Sequence, residues 1–286
     1  MIFLSTTYYG KNRSILSETL NDIELNQYDI DGIELGSTHI YEPEFNKIVG
    51  NVSKEIITHN FFPPDREDEN FVINIASNND QVRRKSLEIV KKNINFALEV
   101  NSKYYTIHPG YLSDGKEHSS YLNYDFIFKK QNKTHYNIAF DNLKKSLEEI
   151  FLYLDGKKIK LLLETEGSIS NKDYLILQEP REYENLLNSF GKNIGFNFNI
   201  AHSYLAAKCF DFSLIDLIKL INKQIYLIEL SHNDCSGDQH LPLTKDSYIF
   251  DYIKYIDCDR YILEFRNASS HDIKSSIKLL KIFLDK

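Results

Sequence analysis

Short apolar runs alternate along the chain with longer stretches whose apolar residues recur at helical spacing. The runs are Ile2-Phe-Leu, Gly32-Ile-Glu-Leu, Glu55-Ile-Ile-Thr, Tyr104-Tyr-Thr-Ile, Ile159-Lys-Leu-Leu-Leu, Ile194-Gly-Phe-Asn-Phe, Ile225-Tyr-Leu-Ile and Tyr261-Ile-Leu. Each is short and rich in Ile, Leu and aromatic residues, which suits a strand buried on both faces. Helices are predicted over Val82 to Val100, where Leu87, Val90, Ile94, Ala97 and Leu98 keep one face, over Ile138 to Leu154, and over Asp272 to Leu284 with Ile273, Ile277, Leu280 and Ile282. Eight strands alternating with helices predict an α/β fold, a TIM (β/α)8 barrel.

What stands at the ends of these runs separates the barrel from an open doubly wound sheet, which the same elements also permit. His59 follows the third run, His108 the fourth, Glu164 the fifth, Asn199 the sixth, Glu229 the seventh and Glu264 the eighth. The carboxyl ends of barrel strands converge on one mouth, so acids, imidazoles and an amide from distant parts of the chain would meet there around one ion or substrate. No linker, low-complexity tract or fixed-period repeat interrupts the pattern, and residues 1–286 read as one barrel domain.

Composition narrows the function classes. A chain of 286 residues with 42% hydrophobic content can bury one large core. Its formal net charge of −7 argues against a protein whose main work is to grip a phosphate backbone, although a local basic groove could be hidden within it. Cys209, Cys235 and Cys258 form no close pair of the zinc-ribbon or disulfide kind and read as reduced thiols. The amino terminus lacks a secretory pattern, and no run nears the length of a bilayer span. A soluble, cytoplasmic protein without membrane contact is expected.

Nine motifs in order carry a resemblance. They are Asp31-Gly-Ile-Glu-Leu-Gly, Thr58-His-Asn-Phe-Phe-Pro-Pro, Asn74-Ile-Ala-Ser with Arg83 and Ser86, Ile107-His-Pro-Gly-Tyr, Leu163-Glu-Thr-Glu-Gly, Asn199-Ile-Ala-His, Glu229-Leu-Ser-His-Asn-Asp, Asp238-Gln-His-Leu-Pro-Leu and Leu263-Glu-Phe-Arg. Together they resemble the xylose isomerase-like barrel superfamily, which includes sugar isomerases and epimerases and the metal-dependent AP endonucleases. The resemblance implies a metal centre at Glu164, Asn199, Glu229 and Glu264. Relatives place Asp at the position of Asn199 and His at that of Glu229. The two exchanges leave the formal charge of the four groups unchanged and give an all-oxygen set, which favours Mn²⁺ or Mg²⁺ over Zn²⁺, with Zn²⁺ still open. The family's glycine after Leu-Pro-Leu is Thr244 here, so a different loop geometry is expected.

Alternatives stand beside each assignment. Asn199 could cap a loop, and Glu229 could pair with a nearby His or Lys. By resemblance, His59, His108, His202, Asp238 and His240 contact substrate hydroxyls in the sugar enzymes or hold further metal in the AP endonucleases. A ring bonded to a backbone carbonyl is the plainer option for the histidines. His232 lies opposite Glu229 by strand alternation or swings into the mouth if the strand ends first. Phe61, Phe62, Pro63 and Pro64 form an apolar wall over the mouth or ordinary loop packing.

The function implied is a metal-dependent isomerase or epimerase of a small sugar or sugar phosphate. Proton transfer would occur beside a carbonyl, with Glu164 and Glu264 as the exchanging pair and His202 and His240 orienting hydroxyls. Phosphodiester cleavage at abasic sites is the alternative, and a barrel that only binds a sugar or a protein is a third. The superfamily commonly forms dimers or tetramers, so a homo-oligomer is compatible with the chain.

Overall fold

A computed structural model describes residues 1–9, 14–64, 66, 71–117, 126–128 and 133–285. Eight parallel strands close a barrel: β1 (Ile2–Ser5), β2 (Gly32–Leu35), β3 (Glu55–His59), β4 (Tyr104–Ile107), β7 (Lys160–Glu164), β8 (Phe196–Asn199), β9 (Ile225–Leu230) and β10 (Tyr261–Leu263). Neighbours pair in the order β1-β10-β9-β8-β7-β4-β3-β2, and the last closes on the first, as expected from the run pattern. Between β4 and β7 a two-stranded antiparallel hairpin, β5 (Gly115–Glu117) with β6 (Phe126–Phe128), stands outside the barrel. The run pattern does not include it, because Gly115-Lys-Glu has no apolar residue to mark a strand.

The predicted helices over Val82, Ile138 and Asp272 are α3 (Asp80–Glu99), α4 (Tyr136–Leu154) and α9 (Ser270–Leu284). Each starts about two residues early, and at two of them local capping chemistry marks the start. Asn79 accepts from the Gln81 amide at the head of α3. Ser269 and Asp272 form a reciprocal capping box on α9.

Inside the barrel, side chains alternate along each strand and stack in layers. Phe3, Ile57, Leu162, Leu227 and Ile262 fill a lower layer with no exposed surface. Gly32 belongs to it by default, since a Cβ there would stand 2.1 Å from Phe3. Two residues further along the same strands come Glu34, His59, Glu164, Glu229 and Glu264. One pleat step therefore turns a hydrocarbon plug into a layer of acids and imidazole. A register shift between β8 and β9 at Phe196 and Asn197 lies beside this layer. Such shifts are common beside functional sites, where they re-aim side chains.

Candidate active site

Loops at the carboxyl ends of the strands surround a cleft of about 380 Å³ whose lining includes His59, His108, Glu164, His202, Asp238, His240 and Glu264. Seven of the nine residues singled out from sequence therefore share one cavity. The other two, Asn199 and Glu229, are buried against Glu164, with 1% and 0% exposure.

On one wall His59 Nε2 lies 2.9 Å from Glu164 Oε2, and His108 Nδ1 lies 2.6 Å from Glu166 Oε1 and 3.5 Å from Glu164 Oε2. On the other, His202 spans the gap, with Nδ1 3.1 Å from Glu164 Oε1 and Nε2 3.3 Å from Asp238 Oδ1. Asp238 continues to His240 Nε2 at 3.0 Å, and His240 Nδ1 reaches Glu264 Oε2 at 3.0 Å. An unbroken chain of alternating acid and imidazole thus links Glu164 to Glu264. The arrangement comes from α6 (Ile200–Phe210), whose first turn carries His202, and from the loop holding Asp238 and His240.

Asn199 closes the floor. Its side-chain oxygen accepts the His202 amide and caps α6, a helix cap where the alternative read from sequence was a loop cap. Its NH₂ donates to Glu164 Oε1 at 3.0 Å and to Glu229 Oε2 at 3.1 Å. In this arrangement the oxygen that would serve as a metal ligand is turned to the helix, and the amide separates two carboxylates instead. Asn197, two residues earlier on the same face, donates to the other oxygen of Glu229 at 2.9 Å.

These surroundings sort the protonation states. Burial pushes Glu164 up, yet His108, His202 and His59 outweigh it and hold its carboxyl well below the usual range. Glu264 is likewise lowered by His240 against its burial, and Asp238 is held well below by His240 and His202. Glu229 goes the other way, driven well above by burial and then by Glu164, Glu264 and Glu34. The imidazoles are depressed by burial but raised on balance: His59 by Glu34 and Glu164, His108 by Glu164 and Glu166, His202 by Asp238 and Glu164. His240 rises to about 9 through Asp238 and Glu264.

The donor set suits a divalent ion. Oxygens of Glu164, Glu229 and Glu264 lie within 4.8 Å of one another, and so do donor atoms of His59, His108 and Glu164 and of His202, Asp238 and His240. Among the described residues, Glu164 Oε2 and Glu264 Oε2 are buried without a directed hydrogen bond. Three gathered carboxylates repel unless protons or a cation intervene.

Other expectations from sequence divide. His232 does not enter the cleft; its backbone pairs with Leu241 and its ring packs against Tyr248 at 5.4 Å. Of the proposed apolar wall only Phe61 lines the cleft, whereas Phe62 is fully buried against Phe45 and Phe96. Phe71, Tyr111 and Phe128 supply the rest of the aromatic lining. Thr244 adopts no left-handed backbone, so the missing glycine imposes no strain there. The cysteines are free thiols, as expected. Among the described residues no helix is long and apolar enough to cross a membrane.

Sequence reading passed over Glu34, Glu166 and Asn197 as site residues. Their signal is the period of two: Asn197 precedes Asn199 by two, Glu166 follows Glu164 by two, and Glu34 is an acid inside an otherwise apolar run.

Residues 24–281 match the family model described as xylose isomerase-like TIM barrel. The chain belongs to that family. A curated relative, the uncharacterized protein MJ1311 of Methanocaldococcus jannaschii, is 24% identical over 94% of this chain and 85% of its own length. Among solved structures, a D-tagatose 3-epimerase-like protein superposes with a TM-score of 0.73 at 20% identity, covering 99% of this chain and 97% of that one. D-psicose 3-epimerase, crystallised in the presence of D-fructose, superposes at 0.71 with 9% identity, covering 100% and 99%. At such identities these likenesses speak for a xylose isomerase-like barrel as a fold.

Proposed function

We propose that this xylose isomerase-like barrel is a metal-dependent isomerase or epimerase of a small sugar or sugar phosphate. The observation that carries the reading is the placement of Glu164 and Glu264. Both carboxylates face one small cleft, both are held ionised by histidines, and an acid–imidazole chain joins them. Family membership and likeness to a D-tagatose 3-epimerase-like protein and to D-psicose 3-epimerase support the substrate class.

Glu164, Glu229 and Glu264 would hold the ion, and a divalent cation bound there supplies Lewis acidity toward adjacent substrate oxygens. Glu164 and Glu264, kept as carboxylates, are in the form that removes a proton from the carbon beside a carbonyl. Returned by the same glutamate to the neighbouring carbon, that proton gives the isomer; for an epimer, protonated His202 or His240 passes a proton to the glutamate it contacts, which delivers it to the opposite face. His202 and His240, protonated against Asp238, have both ring nitrogens turned to acids, so they orient the substrate through the two glutamates they fix. The aromatic side of the cleft, with Phe61, Phe71 and Phe128, keeps water from the reacting carbon.

A panel of ketoses and ketose phosphates incubated in D₂O tests the proposal. Deuterium at the carbon next to the carbonyl, together with an epimer or isomer, is expected for at least one member. A panel without exchange contradicts it.

The His59–His108–Glu164 and His202–Asp238–His240 groups favour a second reading, metal-dependent cleavage at abasic sites. Against it, Arg266 is the only Lys or Arg among the described residues lining the cleft, whereas a duplex ligand calls for several phosphate contacts. Incision of a duplex carrying one abasic analogue would overturn the sugar reading in its favour.

A further inference from the structure

At the cleft floor lies Glu34, a side chain that the proposed reaction does not use, beside His59 and the buried Glu229. Glu34 of β2 is fully buried, and among the described residues neither of its carboxylate oxygens has a hydrogen-bond partner. A buried carboxylate without donors is costly whether charged or neutral, since a protonated carboxyl also needs an acceptor. The nearest charged partner is His59 Nδ1, 3.6 Å from Glu34 Oε1, and that nitrogen is itself buried without a directed hydrogen bond. It stands 3.8 Å from Glu229 Oε1 as well.

We propose that Glu34, His59 and Glu229 form a divalent-cation seat beneath the catalytic mouth, separate from the one at Glu164 and Glu264. Donor atoms from all three lie within 4.8 Å of one another, and all three residues are buried. Ligand atoms sharing an ion at about 2.1 Å stand roughly 3.0–3.5 Å apart, so separations of 3.6 and 3.8 Å need only a few tenths of an ångström of closure. Those same separations are too long for hydrogen bonds.

The attitude of Glu229 favours this placement. One of its two oxygens, Oε1, faces Nδ1 of His59. Asn197 and Asn199 donate to Oε1 and Oε2 respectively and fix the carboxylate in that attitude. Nε2 of His59 faces Glu164 at 2.9 Å, so Nδ1 is the nitrogen turned toward Glu34 and Glu229. Two carboxylates and one imidazole suit Mn²⁺ or Zn²⁺, and Glu229 would stand between the two seats as a shared ligand.

The seat does not depend on the sugar reading, and its test keeps the two apart. Crystals of the intact protein soaked in Mn²⁺ are measured at the manganese edge, and bound metal per chain is determined for wild type, Glu34→Gln and Glu264→Gln. An anomalous peak between Glu34, His59 Nδ1 and Glu229 is expected, with one equivalent lost in Glu34→Gln while the peak near Glu264 persists. Glu264→Gln should lose the upper equivalent and keep the lower. A peak at Glu264 with none at Glu34, or no peak at either, overturns the proposal. So does a Glu34→Gln protein that binds Mn²⁺ like wild type. The wild-type map needs no variant to fold.

Discussion

Two layers inside the same barrel, two residues apart along each strand, obey opposite rules. In the lower one Phe3, Ile57, Leu162, Leu227 and Ile262 pack without polar atoms, and each contributes by leaving water. In the upper one Glu34, His59, Glu164, Glu229 and Glu264 are buried ionisable groups, Glu264 the most exposed at 8%, so they are stable only through one another and through what they bind. The contrast teaches that the plug makes the barrel and the charged layer uses it. Substitutions in the first should change stability, and substitutions in the second should change chemistry.

The largest effect expected from that division is on turnover. Glu164→Gln removes the acceptor for a substrate proton and should lower the rate of deuterium incorporation about 10²–10⁴-fold with the fold retained by circular dichroism. Leu227→Ala should do the converse. It opens a cavity in the lower layer and costs about 2–5 kcal/mol in urea unfolding, while the folded fraction keeps its metal and its activity. If Leu227→Ala abolished activity at full stability, the separation of roles would be wrong.

Imidazoles sharpen the same contrast. Those in the charged layer are raised by carboxylates, but His39, buried between Ser14 and Thr6, is lowered to about 4 by burial. Its folded pKa lies below its unfolded one of about 6.5, so its contribution is complete above pH 6.5. It is lost as pH falls toward 4, amounting to about 3 kcal/mol. His39→Gln should flatten the acid side of the stability profile by that amount, measured by urea unfolding from pH 7 to 4. An unchanged slope would contradict the assignment.

A smaller effect is expected at Asn199. Asn199→Asp keeps the cap on α6 but replaces donations to Glu164 and Glu229 with a further negative charge. Metal-free stability should fall by about 1–3 kcal/mol. Affinity for Mn²⁺ should rise, as read by isothermal titration calorimetry.

The strands were legible because each is a bounded apolar run, and the mouth residues because a polar group at the end of such a run has few other reasons to be there. Asn199 and Glu229 were legible as positions but not as orientations. Whether an amide turns its oxygen to a helix or to an ion depends on the neighbour at His202, which sequence places on another element. Glu34 was hidden for the opposite reason, since it lies inside the run Gly32-Ile-Glu-Leu and not at its end, where the polar groups of the mouth were sought. The hairpin of β5 and β6 left no periodic trace at all.

Binding of Mn²⁺ to the metal-stripped protein, followed through the electron paramagnetic resonance signal of the free ion, tests the central claim most directly. The account predicts that the signal is quenched stoichiometrically in wild type and that Glu264→Gln loses one equivalent. A free-ion signal undiminished by stoichiometric wild-type protein would contradict it.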